Sequence, residues 1–592
     1  VVMNVADYII KFLEKKQVDT IFSIQGGGSM YLNDAVAKSG VIKPVFMHHE
    51  QSCAMAAVGY SKVSHKPGVL IVTSGCAGTN TITGVLDAWQ DSNPLFIISG
   101  QANSKETTYT HSNKNLRKLG VQEANLEPIV SSITKKFLFL KEDKIPQLNY
   151  LLEHLWYIAT QGRPGPVWID IPLDIQSKQV PFLLENVIGN FSRKINYLDK
   201  SIIYFQEALY QSKRPIIVAG NGIVTSDSIK EFQDFILEHK YPFVTTFGAV
   251  NQFPLIEKYN IGRLGIKGTR AGNFAVANAD LVIGIGTSFS IPATGFQYKL
   301  FAREAKIFAV DVDYHEHQKD TIKIDGVVNC DLKYFLDGEF NFTKEIDLWS
   351  EQCFLWRNQW DPFDRPDINE LNMYSFSKEL SKVASTTSLN VISDAGSAYY
   401  VMAQTLKNAP LILPISQGEM GFAIPASVGV WEADKTRKPI VVTGDGSFQF
   451  NIQELATISG NNIPVALVVL NNDGYLSIRN TQNKFFEGRL SGTDNKSGVF
   501  FPDLKKIAEA YCIKYEKITD IEDLNDLEHI LSVNRIRPVI IEVICPKDES
   551  IYPTSATQQM EDGSLKSQPL ENMFPFLSKE DFENEMIIPI LQ

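Results

Sequence analysis

The 592-residue sequence contains no run of about 18 consecutive apolar residues, so no membrane-spanning helix is expected. Its six cysteines, Cys53, Cys76, Cys330, Cys353, Cys512 and Cys545, are scattered and form no Cys-x-x-Cys pair. That scatter argues against a zinc site and a disulfide framework, and reads most simply as free thiols in a reducing cytoplasm. Positive charge is in deficit: 56 Lys and Arg face 68 Asp and Glu, and the net charge of −12 disfavours nucleic acid or an anionic membrane as main partner. The opening VVMNVADYIIKFLEKK lacks the basic start and small-residue cleavage site of a signal peptide, and reads as an amphipathic helix.

What is present is the composition of a soluble globular protein, 44% hydrophobic and 21% charged, in a chain too long for one core. Apolar β-branched runs alternate with helical periodicity, the pattern of α/β domains built on doubly wound parallel sheets. Three such domains are expected, over residues 1–185, 190–360 and 370–547, followed by a polar tail over 548–592. In the first, Thr20–Ile24, Pro44–Met47, Gly68–Thr73 and Pro94–Ser99 read as strands, and Ser52–Lys62 as a helix of small residues. A repeat links the first domain to the third. Thr73 precedes the strand opening at Pro94 by 21 positions, as Thr443 precedes the one at Pro464. Glu50 stands before Val58-Gly59 much as Glu419 stands before Val428-Gly429. The tail, with few periodic apolar positions, reads as a lid, an arm across a neighbour, or a disordered end.

The densest signal runs from Pro439 to Tyr475. Ile440–Thr443 reads as a strand ending in Gly444-Asp445-Gly446-Ser447, with a helical segment then expected up to Ser459. Pro464–Leu470 reads as a second strand, ending in Asn471-Asn472-Asp473-Gly474. Strand, helix and strand in one sheet form a right-handed βαβ unit. Asp445 and Asn472 then stand just past the carboxyl ends of parallel strands, where open α/β sheets bind ligands. A carboxylate and an amide oxygen suit Mg2+ shared with a phosphate, and a helix starting near Ser447 would offer N–H groups to that phosphate. On the residues alone, two ordinary turns of a βαβ unit are the other reading.

Gly-Asp-Gly followed by Asn-Asn, with Asn472 27 positions after Asp445, resembles the cofactor motif of the thiamine diphosphate-dependent decarboxylases and carboligases. Further matches are Gly26-Gly27-Gly28-Ser29, the run from His48 to Lys62, Thr73 to Asn80, Asp87 to Pro94, Ile98 to Gln101, Gly165 to Pro172 and Gly418 to Ser427. Together they make almost the whole chain resemble the acetolactate synthase (acetohydroxyacid synthase) family. The resemblance implies that the first domain binds the aminopyrimidine of thiamine diphosphate. The third would bind its diphosphate through Mg2+ on Asp445, Asn472 and the Gly474 carbonyl. Active sites would form between the subunits of a homodimer or homotetramer. Glu50 matches the glutamate that hydrogen-bonds the pyrimidine ring nitrogen, a general acid–base role. Gly418 and Met420 match the carbonyl that accepts from the cofactor's amino group and the side chain wedged under its thiazolium. Gly26, Gly27 and Gln101 match residues facing the reacting carbons, and Val121-Gln122 falls where the family has a Phe-Gln pair. Asp394, Gly396, Ser397, Gly446, Ser447, Tyr475 and Leu476 are carried over to cofactor binding.

Departures bear on the reaction. Ile478 stands where the pyruvate-decarboxylase branch has a glutamate, which disfavours simple aldehyde release. Ser288 stands where acetolactate synthases have an arginine for the second keto acid's carboxylate, Thr481 for their acceptor-selecting tryptophan, and Leu173 for a lysine. The segment from Asp562 to Leu577 resembles the ending of family members tied to surface-polysaccharide sugars. The implied reaction decarboxylates pyruvate and transfers its two-carbon unit to a ketone, that of a nucleotide-linked keto-deoxysugar. Acetolactate synthesis and cleavage of a cyclic diketone are the alternatives. Leu264 to Thr269 and Asp311-Val312-Asp313 resemble flavin-contacting segments of the family. They imply FAD as a structural cofactor over Gly220, Gly222, Gly265, Gly268, Thr269, Gly286, Asp311 and Asp331, although Gly220-x-Gly222 lacks the full Gly-x-Gly-x-x-Gly.

Overall fold

The apolar runs become three six-stranded sheets in a computed structural model describing residues 3–180, 200–338, 346–532, 535–559 and 562–590. The boundary expected between 185 and 190 lies outside the described residues. The first sheet holds β1 (Thr20–Ser23), β2 (Lys43–Phe46), β3 (Gly68–Val72), β4 (Leu95–Gln101), β5 (Lys136–Phe139) and β6 (Val167–Pro172), in the order β2-β1-β3-β4-β6-β5. The second holds β7 (Pro215–Ala219), β8 (Phe243–Thr245), β9 (Asn260–Arg263), β10 (Leu281–Ile285), β11 (Lys306–Asp311) and β12 (Gly326–Asn329), in the order β12-β11-β10-β7-β8-β9. The third holds β13 (Leu389–Ser393), β14 (Leu411–Ile412), β15 (Lys438–Gly444), β16 (Ala466–Asn471), β17 (Lys514–Ile518) and β18 (Val539–Ile544), in the order β14-β13-β15-β16-β18-β17. Within these sheets the pairings are parallel. Strands such as β3 and β10 are buried along their whole length, as parallel strands covered by helices on both faces are.

The first and third sheets share one strand order, so the sequence repeat is a repeat of architecture. The central sheet differs. Read from β9, it takes the third, second, first, fourth, fifth and sixth of its strands in turn, the order of dinucleotide-binding sheets. Among the described residues no helix is long and apolar enough to cross a membrane.

The repeated Val-Gly pairs meet each other. Helix Glu50–Ser64 crosses helix Ala423–Ala433 with Gly59 against the Ala426 carbonyl and Gly429 against the Ala56 carbonyl. A Cβ added at either glycine would lie 2.4 or 1.8 Å from those oxygens, inside any van der Waals limit. Beside the crossing, Lys62 pairs with Asp91 at 2.7 Å. Asp91 also accepts from the backbone N–H of Ile415 and of Ser416 at 2.8 and 2.9 Å. A buried ion pair of the first domain thereby anchors the third-domain loop leading to Gly418.

Two expectations change here. The helix expected from Ser447 is a single 3-10 turn, Ser447–Gln449, and the α-helix begins at Glu454. Extended Phe450 and left-handed Asn451, at φ 58°, break the chain between them. The tail is an arm across the chain's own central domain. Arg303 pairs with Glu571 at 2.6 Å, Trp356 Nε1 donates to Glu585 at 2.7 Å, and Ile587 N donates to Asn278 Oδ1 at 2.8 Å. Its anchors, Leu570, Met573 and Ile588, are buried at irregular spacing, which is why periodicity did not reveal them.

Candidate active site

The third sheet changes direction between β13 and β15, since the chain goes from β13 outward to β14 and then returns to the other side. Such a switch opens a crevice at the carboxyl ends of the strands. Asp445 follows β15, with Oδ1 accepting from Gly446 N at 2.9 Å and Oδ2 from Gly474 N at 2.8 Å. Burial pushes its carboxyl up to about 6, against the pull of those two N–H groups. Asn472, after β16, is buried, and its Oδ1 has no hydrogen-bond donor among the described residues. A buried acceptor without a donor is costly unless something electropositive meets it. A carboxylate, an orphaned amide oxygen and a Gly474 held at φ 128° are a donor set that fits a hard divalent cation.

One support of this crevice, Arg479, escaped the sequence reading. Arg479 Nη2 donates to the Asn472 carbonyl at 2.8 Å and Nη1 to that of Asp473 at 3.1 Å, fixing the loop from behind. The Tyr475 ring lies on Gly446, where a Cβ would come within 2.2 Å of it. Leu476, next in the chain, is buried. Across the crevice Ser397 Oγ and Ser477 Oγ are 3.2 Å apart, and a Cβ at Gly396, held at φ 81°, would meet Ser477 Oγ at 3.9 Å. Gly418, at φ 55°, faces open space, with half-buried Met420 beside it.

Asp394 and Ser447 do other work than expected. Asp394 is fully buried, its Oδ2 accepting from Gly421 N and Ala423 N and its Oδ1 from the Thr443 hydroxyl. Ser447 Oγ accepts from Gly421 N at 3.0 Å. Both tie the Met420 loop to β15.

From the first domain, Glu50 opens its helix and accepts from Asn80 Nδ2 at 2.9 Å. Asn451 donates to Gln51 at 3.1 Å and to the Gly421 carbonyl at 3.0 Å, linking the start of this helix to the Met420 loop. Gly26 sits on Thr73 with no room for a Cβ, whereas Gly27 faces open space. Gln122 is exposed and left-handed, its carbonyl against Gly75. Gln101 is fully buried, Nε2 donating to the Ala124 carbonyl and to Asp170 while Oε1 accepts from Ala102 N, so its amide is engaged by its own fold. Burial pushes its partner Asp170 up to about 7.

Glu419 lies between Gly418 and Met420 with both carboxyl oxygens buried and unpaired among the described residues. Burial first, then the nearby Asp91 charge, push it up to about 8. The folded chain therefore holds a proton here that the unfolded chain gives up above its ordinary carboxylate range. Stability falls as pH rises from about 4.5 to about 8. Glu419→Gln keeps the shape and removes the titration, so its melting temperature, measured from pH 5 to 8.5 without cofactor, declines less steeply than that of the parent.

A cavity of about 760 Å3 opens at the switch point of the central sheet, between β7 and β10. Of the residues carried over for FAD, Gly222, Gly286, Asp311 and Asp331 line it. Gly220 adjoins it, with Gly222 N donating to the Gly286 carbonyl at 2.8 Å. Gly265, Gly268 and Thr269 do not line it; Thr269 caps helix Arg270–Ala277, and Gly265 and Gly268 shape the turn before it. Ser288 lines the cavity, and so does Arg163, whose Nη1 bonds Asp313 at 3.1 Å and Glu316 at 2.5 Å.

Comparison with known families matches residues 3–123 to the N-terminal TPP binding domain of thiamine pyrophosphate enzymes, 204–338 to their central domain and 394–543 to their C-terminal TPP binding domain. The chain is similar to the acetolactate synthase large subunit of Lactococcus lactis subsp. lactis, 30% identical over 92% of this chain and 93% of that protein. It is also 30% identical to the chloroplastic acetolactate synthase of Arabidopsis thaliana, over 93% of this chain and 82% of the relative. A probable acetolactate synthase large subunit of Methanocaldococcus jannaschii is 29% identical over 93% of each.

Proposed function

Because this chain belongs to the acetolactate synthase-like thiamine pyrophosphate enzymes, we propose that it ligates the two-carbon unit of pyruvate to the ketone of a nucleotide-linked keto-deoxysugar. The family itself makes it a thiamine diphosphate-dependent enzyme that forms carbon–carbon bonds. Thiamine diphosphate, when bound, supplies the electron sink that lets a 2-keto acid lose CO2. Asp445, Asn472 and the Gly474 carbonyl would hold Mg2+, a reading supported by the donor-less Asn472 Oδ1. Gly396, Ser397 and Ser477 would take diphosphate oxygens at the open lip. Glu50 would hold or release a proton at the pyrimidine ring nitrogen, its carboxylate steered by Asn80. The Gly418 carbonyl would accept from the pyrimidine amino group, with Met420 supporting the ring. Exposed Met30, Phe46 and Phe450 border the segments that carry these residues, which supports a second copy covering them in a homodimer or homotetramer. FAD in the central cavity is supported by the strand order and the cavity's size.

The observation that carries the choice of acceptor is Ser288. A small hydroxyl lines the central cavity at the family's arginine position, and Arg163, which also lines it, is already held by Asp313 and Glu316, so a keto acid's carboxylate finds no free bidentate grip among these residues. The test is pyruvate consumption by the protein with thiamine diphosphate and Mg2+, with and without a nucleotide-linked 4-keto-deoxysugar. Turnover rising with the sugar, and a branched sugar product, are expected. Acetolactate from pyruvate alone, unchanged by the sugar, would return the acceptor to a second pyruvate.

A further inference from the structure

Lys267 is a partly buried cation with nothing to neutralise it. It lies in the turn between β9 and helix Arg270–Ala277, and among the described residues no carboxylate or hydrogen-bond acceptor meets its ammonium. Its one charged neighbour among the described residues is again positive. Burial pushes the amine down to about 8, and the Lys484 ammonium adds to that push. Its Nζ stands 5.6 Å from the centre of the Tyr400 ring, a weak substitute for a counter-ion. The turn is held in place by the tail, with Ser555 N donating to the Ile266 carbonyl at 2.7 Å.

The elements that bring these groups together also carry the candidate site. Tyr400 follows Ser397 by about one turn on helix Gly396–Thr405, and its hydroxyl makes no hydrogen bond among the described residues. Lys484 follows Thr481 at i,i+3 on helix Leu476–Phe485, so it shares a face with the acceptor-selecting position. The helix begins at Leu476 and Ser477, and Ser477 meets Ser397 across the crevice. Lys484 is exposed and donates to the Thr557 carbonyl at 3.1 Å, which leaves donors for a ligand. Two ammonium groups and a phenol hydroxyl, with no acid paired to either lysine among the described residues, thus gather where the two helices lead outward from the crevice.

We propose that Lys267, Lys484 and Tyr400 form an anion subsite that takes the diphosphate of the nucleotide-linked acceptor. The identity of the anion rests on the function proposed above; the existence of the subsite does not. A partly buried cation without a counter-ion costs free energy that a bound dianion recovers, and compact ammonium groups suit phosphate oxygens. A keto group one sugar away from such a diphosphate would reach back toward Thr481 and the crevice.

Calorimetric titration with CDP, UDP, dTDP and GDP tests this on the full-length protein, with thiamine diphosphate, Mg2+ and FAD in excess so that no other phosphate site competes. At least one nucleotide is expected to bind. Lys267→Met should weaken it about 30-fold, as losing a partly buried charge-assisted bond does, and Lys484→Met about threefold, as an exposed charge does. Pyruvate turnover in the absence of acceptor should stay unchanged in both variants. Failure of every nucleotide to bind, or equal affinity in the parent and Lys267→Met, overturns the subsite. Loss of bound flavin in Lys267→Met with nucleotide affinity intact overturns it too, by giving the lysine to the flavin. If the keto sugar is turned over with the same KM in parent and variant, the subsite falls and the proposed function stands. If nucleotides bind through the lysines and no keto sugar is turned over, the function falls and the subsite stands.

Discussion

Replacing Glu50 by glutamine lowers pyruvate turnover by about 10²–10⁴-fold, the range that a positioned acid–base group contributes. Thiamine diphosphate and Mg2+ still bind. The substitution is a clean one in this setting. Asn80 Nδ2 donates to Glu50 Oε2, and the amide oxygen of glutamine accepts the same bond. Gln51 and Ser52 keep their contacts with Asn451, so the link from the helix start to the Met420 loop survives. In the role proposed for Glu50, what would be lost is the ability to exchange a proton at the pyrimidine nitrogen. Paired measurements of kcat and of cofactor affinity decide the matter. Turnover equal to the parent's removes Glu50 from the chemistry, whereas loss of cofactor binding in step with activity makes its role one of binding.

The second large effect is expected at Asn472. Its Oδ1 is buried without a donor, so the protein without cofactor bears the cost of an unsatisfied polar atom. Asn472→Leu removes that atom at similar volume, and the cofactor-free protein melts at an unchanged or higher temperature. Affinity for thiamine diphosphate with Mg2+ falls by at least about 100-fold, the upper end of what even outer-shell partners of a metal cost. A ligand at 100 times its Kd stabilises by about 2.7 kcal/mol, and the variant loses that rise in melting temperature under the same conditions. A variant that destabilises the cofactor-free protein and keeps full stabilisation by cofactor would make Asn472 a structural residue.

The sequence makes strand runs and their turns legible because fully buried parallel strands must be apolar throughout, as Gly68–Val72 and Ile440–Val442 are. It also makes the strand-end residues Asp445 and Asn472 legible, since the βαβ rule fixes the edge of the sheet at which they emerge. It does not reveal which way a side chain turns once the strand has ended. Gln101, Asp394 and Ser447 each sit in a motif at a strand end, yet each spends its polar atoms on backbone or side-chain groups of its own fold. The break at Phe450 and Asn451 left no mark in the apolar periodicity, which ran across it. The burial of Glu419 and Lys267 was not legible for another reason. An ionisable residue in a turn looks solvent-exposed until the other domain and the tail close over it, and no local pattern reports that closure.

The crossing of helices Glu50–Ser64 and Ala423–Ala433 limits how the enzyme can open. Backbone meets backbone there through Gly59 and Gly429, with no side chains between to slide or compress. Such a joint cannot serve as a hinge, because any rotation drives a carbonyl into the opposite helix or pulls the contact apart. The first and third domains of one chain accordingly move as a single block. The bulky acceptor proposed above would then have to enter by displacing lighter parts of the wall, such as the strand pair Thr557–Gln559 and Leu565–Ser567 that touches Lys484. Gating would then fall to such local parts, while the first and third domains of one chain keep their spacing.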